Sequence, residues 1–110
     1  MLILNYLQIT DQIGIGGQPL ADQFPEIAGA NYAAVINLAM AESSNAVAEE
    51  GGIVTSLGMK YIHIPVPWDA PTIDHLKQFF AVMDELGDKP VFVHCAANYR
   101  ASAFVHQYLV

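Results

Sequence analysis

The sequence predicts a three-layer α/β fold, with a mostly parallel central sheet flanked by helices. Three observations carry that prediction. Ala33–Leu38 and Pro90–His94 are short apolar, β-branched runs of the kind buried on both faces of a sheet. Other segments place apolar residues at three- and four-residue steps, the spacing of an amphipathic helix. Strand and helix signals also alternate along the chain, which favours parallel pairing through crossover helices.

In chain order, Leu2–Ile9 and Gln12–Ile15 read as β-prone runs around a turn at Thr10-Asp11. Gly16-Gly17-Gln18-Pro19 punctuates them. The Gly14-Ile15-Gly16-Gly17 stretch reads as a turn. It is not a dinucleotide fingerprint, because the third glycine is missing and Pro19 follows. Residues 21–29 predict a short helix with Phe24 and Ile27 inward. After the strand at 33–38, Asn45–Leu57 reads as helical despite Gly51-Gly52. Lys60–Pro65 alternates as a strand, and Pro65 and Pro67 take the chain out of the sheet. Thr72 is the expected N-cap of a helix whose apolar stripe is Ile73, Leu76, Phe79, Phe80, Met83 and Leu86, with Gly87 as its stop. After the strand at 90–94, Arg100–Val110 predicts a last amphipathic helix.

With 110 residues the chain forms one domain, 1–110, and 54% hydrophobic content rules out intrinsic disorder. Four Lys+Arg against eleven Asp+Glu give a net charge of −7, which argues against nucleic-acid and anionic-membrane binding. A single cysteine excludes an internal disulfide and multi-cysteine zinc sites, and four separated histidines make no metal site. His63 reads as a hydrogen-bonded core or surface histidine, and His75 and His106 as exposed helix positions. No metal or cofactor is expected. The opening residues lack a basic n-region and no apolar run reaches membrane-spanning length, so a cytoplasmic protein is expected.

Chemistry in such folds gathers at the carboxyl ends of the strands. There lies Val93-His94-Cys95-Ala96-Ala97-Asn98-Tyr99-Arg100-Ala101-Ser102. A cysteine between a buried strand and a helix N-terminus meets converging N–H groups and the positive end of the helix dipole, which favour a nucleophilic, anionic sulfur. The same N–H groups cradle an anion. Arg100 adds a planar fork for two phosphoryl oxygens. Ser102 is expected to hydrogen-bond the sulfur, and Asn98 to take the positive φ the turn needs. Small Ala96 and Ala97 let the backbone approach a ligand, and Tyr99 lines the entrance. The competing reading is a buried structural cysteine.

His94-Cys95 followed by Arg100 and Ser102 resembles the phosphate-binding loop of cysteine-dependent, dual-specificity-like phosphatases. Ile15–Pro19, Val35–Leu38 and Ile64–Asp69 look like a bacterial branch of that superfamily, the beta-lactamase hydrolase-like branch, and the resemblance runs from about Leu7 onward. It implies a phosphatase-like domain acting on a phosphorylated protein or small phosphoester, with His94 orienting the loop. It also implies that Asp69 falls near the general-acid loop, where Trp68 packs the loop down. Gln18 could approach the site by the same analogy but is given no role. Phosphatases of this type continue with further C-terminal helices. The apolar end, Ala103–Val105 with Tyr108–Val110, is therefore expected to need cover, either from such a segment or from a second copy in a homodimer.

The spacing departs from the phosphatase signature: four residues, not five, separate Cys95 from Arg100, and Asn98 stands where glycine is usual. Rhodanese-like sulfurtransferases hold a persulfide in a loop of this shorter length. Two alternatives therefore stay open, a sulfurtransferase with a Cys95 persulfide and a non-catalytic phosphate-binding module.

Overall fold

The computed structural model describes residues 2–67 and 69–110. Five strands, β1 (Leu7–Gln8), β2 (Ile13–Gly16), β3 (Ala34–Asn37), β4 (Lys60–His63) and β5 (Val91–His94), form one sheet in the order β1-β2-β5-β3-β4. β1 pairs antiparallel with β2, and all other pairings are parallel. The central strands are β-branched and apolar on both faces because helices cover both sides. Ile36, Val91, Val93 and Cys95 turn towards α3 (Ile73–Leu86) and α4 (Tyr99–Leu109). Val35 and Phe92, one residue out of step, turn towards α1 (Phe24–Gly29) and α2 (Glu50–Ser56). The fold is the expected three-layer α/β architecture. None of the helices among the described residues is long and apolar enough to cross a membrane.

Register sets the position of the site. Gly16, His94, Asn37 and His63 lie in one row across β2, β5, β3 and β4, at the strands' carboxyl ends. Cys95 is therefore the first residue beyond the row.

The helix at 73–86 begins where its cap predicts. The Thr72 hydroxyl accepts the His75 N–H at 3.3 Å, while His75 Nδ1 accepts the Thr72 N–H at 3.1 Å. Its Gly87 C-cap has a φ of 63°. Ile73, counted in the apolar stripe, is instead 66% exposed, at the first position of the helix. His75, expected to be exposed, is half-buried by its part in the cap.

Other expectations are revised. Only Glu50–Ser56 of the segment 45–57 is helical. Glu49 just before it is left-handed at φ 58°, and the Asn45 side chain is bonded to a distant backbone carbonyl, a competitor of helix formation. The Gly14–Gly16 stretch is strand and not turn. A side chain at Gly14 would overlap the Tyr32 hydroxyl, and one at Gly16 would lie 3.0 Å from the Phe92 ring. Leu2–Ile9 is strand only at Leu7–Gln8, since a turn at 3–6 interrupts it. Finally, Phe104 and Val105 do not face water. They are buried on the sheet, with the Phe104 ring 5.7 Å from that of Phe79, and Tyr108 packs edge-on to Phe80. At the C-terminal end, Leu109 and Val110 keep large exposed apolar surface.

Two stability predictions follow from the packing around Tyr32. Gly14→Ala forces a methyl group into its hydroxyl and should destabilise the fold by about 1–3 kcal/mol, read by chemical denaturation. The Tyr32 phenol is also held above the ordinary tyrosine range, first by burial and then by its hydrogen bond with Tyr6. Below about pH 10 it is neutral in both folded and unfolded states, and its contribution is complete. At higher pH the unfolded chain ionises first, so stability falls as pH rises. Tyr32→Phe should flatten that alkaline decline in denaturation midpoints measured on either side of about pH 10.

Candidate active site

Cys95 ends β5 at 6% exposure, and its N–H reaches the Gly16 carbonyl at 3.4 Å. The chain then turns within three residues into α4. Asn98 closes the turn at φ 84°, ψ −6°, the conformation the sequence assigns to it. Its N–H donates to Cys95 Sγ at 3.1 Å. The sulfur thus sits under a donated backbone hydrogen at the head of an eleven-residue helix, where the helix dipole adds positive potential.

The peptide groups of this turn are held from behind. The Ala96 carbonyl accepts the Gln18 N–H at 3.1 Å and Asn45 Nδ2 at 3.0 Å. The Ala97 carbonyl accepts Asn5 Nδ2 at 2.9 Å, and Asn98 Nδ2 returns the bond to the Asn5 carbonyl at 2.9 Å. In a trans peptide the N–H points opposite to the C=O. Anchoring these carbonyls therefore turns the N–H groups of Ala97 and Asn98 to the opposite side, where that of Asn98 meets the sulfur. Gly17 is required beside this turn: a side chain there would lie 3.0 Å from the Ala96 carbonyl oxygen.

His94 is fully buried and points to the opposite layer from Cys95. Its Nδ1 lies 3.3 Å from the Cys95 carbonyl oxygen and its Nε2 2.6 Å from Glu50 Oε2. Glu50 is buried too, and its Oε1 accepts Gln18 Nε2 at 2.8 Å. His94, expected to orient the loop, makes this Nδ1 contact with the first peptide of the turn. Glu50, Asn5 and Asn45 were not singled out in the sequence, nor was Gln18 given a role. Asn5 carried a weak signal, as a polar interruption of an otherwise apolar run.

A cavity of about 170 Å³ opens above the sulfur. Cys95, Ala96, Ala97, Tyr99 and Arg100 line one side, and Leu38, Met40 and Val66 form an apolar wall. Arg100 is half-buried at the second position of α4, and Tyr99 is 71% exposed at the rim. Ser102 departs from expectation. It is exposed, and its hydroxyl donates to the Tyr99 carbonyl at 3.1 Å, one turn back in its own helix, away from the role on sulfur. Asp69 is exposed and does not line the Cys95 cavity. It lines a neighbouring depression with Glu42 and Pro67, and Met40 and Ser43 border both. Trp68, expected to pack that loop down, lies outside the described residues. His63 is held as expected, with Nε2 2.6 Å from the Ala39 carbonyl oxygen.

Comparison with known proteins places this arrangement in a family. The model of the family described as "DSP-PTPase phosphatase fused to NAD+ Kinase" matches residues 10–110. Two crystal structures titled "Putative phosphatase (DUF442)" from Shewanella putrefaciens CN-32 are 41% and 42% identical to the chain. They match over 96% and 97% of it and over 68% and 71% of their own length, with TM-scores of 0.93 and 0.95. The core catalytic domain of the PP-IP phosphatase SIW14 from S. cerevisiae shares the fold at 12% identity, with a TM-score of 0.78 over 96% of this chain and 64% of that one. No curated protein matches. With the family model covering nearly all of its length and relatives above 40% identity, the chain belongs to the DSP-PTPase phosphatase family.

Proposed function

We propose that the chain is a cysteine-dependent phosphatase that hydrolyses a phosphate monoester through a cysteinyl-phosphate. The observation that carries this reading is the Asn98 N–H donated to Cys95 Sγ on the floor of a cavity walled by the same turn. In the first step the Cys95 thiolate attacks phosphorus, the S–P bond forms, and the P–O bond to the alcohol breaks. The inward N–H groups of the turn and the Arg100 guanidinium hold the three equatorial oxygens as their charge redistributes. Asp69 gives its proton to the departing alkoxide. This role requires the Asp69 carboxyl to reach the cavity across Met40 and Ser43, which border both depressions. In the second step water attacks phosphorus, Asp69 takes the water's proton, and inorganic phosphate leaves with the sulfur again a thiolate. His94 orients the turn, and Ala96, Ala97, Asn98 and Tyr99 form the substrate-binding rim.

Glu42 and Asp69 make the rim beside the cavity acidic, and the chain has only four Lys and Arg. A polyanionic substrate is disfavoured there, and a neutral or basic phosphoprotein or a small monoester is favoured. The four-residue spacing from Cys95 to Arg100 favours one second reading, sulfur transfer with a Cys95 persulfide, in which Asp69 plays no part.

Turnover of an aryl phosphate, inhibited by vanadate, separates the two. Cys95→Ser should lower kcat by more than about a thousandfold, and Asp69→Asn by about 10²–10⁴. Thiosulfate-dependent persulfide formation that ignores Asp69→Asn, with no phosphatase activity, would establish sulfur transfer instead. Asn5→Ala frees the Ala97 carbonyl and removes the backing of the turn. It should weaken vanadate inhibition and lower stability by about 1 kcal/mol, since the one hydrogen bond it removes is exposed and the Asn5 carbonyl still accepts Asn98 Nδ2.

A further inference from the structure

The peptide joining Cys95 to Ala96 is the first of the turn, and its carbonyl faces His94 Nδ1 at 3.3 Å. A carbonyl oxygen can only accept, so Nδ1 must carry a hydrogen. On the far side of the ring, Nε2 lies 2.6 Å from Glu50 Oε2, a separation that requires a proton between them. The pair therefore holds two protons. It is neutral as a unit whether the shared proton sits on nitrogen or on oxygen. The opposite tautomer, with hydrogen on Nε2 alone, would set the Nδ1 lone pair against the lone pairs of the carbonyl.

Glu50 is itself held. Its Oε1 accepts one Gln18 amide hydrogen, and the Gln18 amide also donates to the Pro19 carbonyl at 3.0 Å. Its side chain is 4% exposed and that of His94 is 0% exposed, so water competes for neither. Gln18 joins this network to the turn a second time, because its own backbone N–H holds the Ala96 carbonyl.

The geometry points to Glu50 as a positioning residue: through His94 it fixes the Cys95 carbonyl outward and so aims the Ala96 N–H into the cradle. This makes Ala96 the third consecutive N–H, with those of Ala97 and Asn98, set by an anchored carbonyl behind it. The assignment rests on the reading of the 95–100 turn as an oxyanion cradle.

Inorganic phosphate binding and the ring ¹⁵N signals of His94 test it together. Wild type should bind phosphate and show hydrogen on Nδ1. Glu50→Gln retains shape, can donate to Nε2 and can still accept from Gln18. It should keep the Nδ1 hydrogen and phosphate affinity within about threefold of wild type. Glu50→Leu removes the partner of Nε2 and should weaken phosphate by about tenfold, the scale of one misplaced charge-assisted donor. If Glu50→Leu does not fold, Glu50→Asp, which withdraws the carboxylate by one methylene, should weaken phosphate by more than Glu50→Gln does. Hydrogen on Nε2 alone in wild type overturns the assignment. So does phosphate binding that is equal in wild type and in every folded variant. A wild type that binds no phosphate overturns the cradle reading itself, which separates the two failures.

Discussion

Everything at this site depends on carbonyl oxygens tied down from outside the turn. A backbone turn that presents several N–H groups to one point must send the matching C=O groups the other way, and each needs a donor. This chain supplies the donors from four separate places. His94 lies directly before the turn, Gln18 and Asn45 come from segments that follow β2 and β3, and Asn5 comes from the N-terminal turn. The turn is thus held by the tertiary fold, although it is itself a short local stretch. Its integrity depends on segments more than 90 residues apart in sequence.

The sheet makes this convergence possible. Side chains alternate between faces along β5, so Cys95 goes to the α3/α4 layer and His94 to the α1/α2 layer. Cys95 therefore borders the cavity while its neighbour reaches through the other layer to a carboxylate on α2. A buried carboxylate is costly unless it is paired and hydrogen-bonded, and Glu50 is both. Such a network tolerates few substitutions, because removing either partner leaves a polar atom buried and unmatched. The apolar packing around it, with the Phe24 ring 6.5 Å from that of His94, offers no substitute partner.

The elements that were legible in the sequence are those whose signals are local. β3 and β5 show as apolar β-branched runs, and α3 shows through its cap, stripe and terminal glycine. Asn98 was legible for the same reason, since a turn between strand and helix demands a residue that tolerates positive φ. What escaped was set by distant contacts. The glycines of β2 look like turn residues, yet they are strand residues thinned to pass Tyr32 and Phe92. Asn45 looks like part of a helix until its side chain finds Ala96. Glu50 is one acid among eleven, and only the pairing of α2 with the end of β5 distinguishes it. Ser102 misled because helical spacing alone cannot tell which partner a hydroxyl will choose, and its own preceding turn was nearer.

The four-residue spacing and the choice of asparagine in place of glycine belong together. Glycine would give the left-handed φ at Asn98 at lower conformational cost, but it would bring no side chain. Asn98 uses its amide to grip the Asn5 carbonyl while its backbone N–H meets the sulfur. One residue thus sets the turn, donates to Sγ and fastens the turn to the N-terminal segment. Rigid backing matters more than the number of donors, because a preorganised donor costs no reorganisation when charge develops. Asn5 Nδ2 on the Ala97 carbonyl with Asn98 Nδ2 on the Asn5 carbonyl, and the Glu50–His94 pair, brace the two ends of the turn.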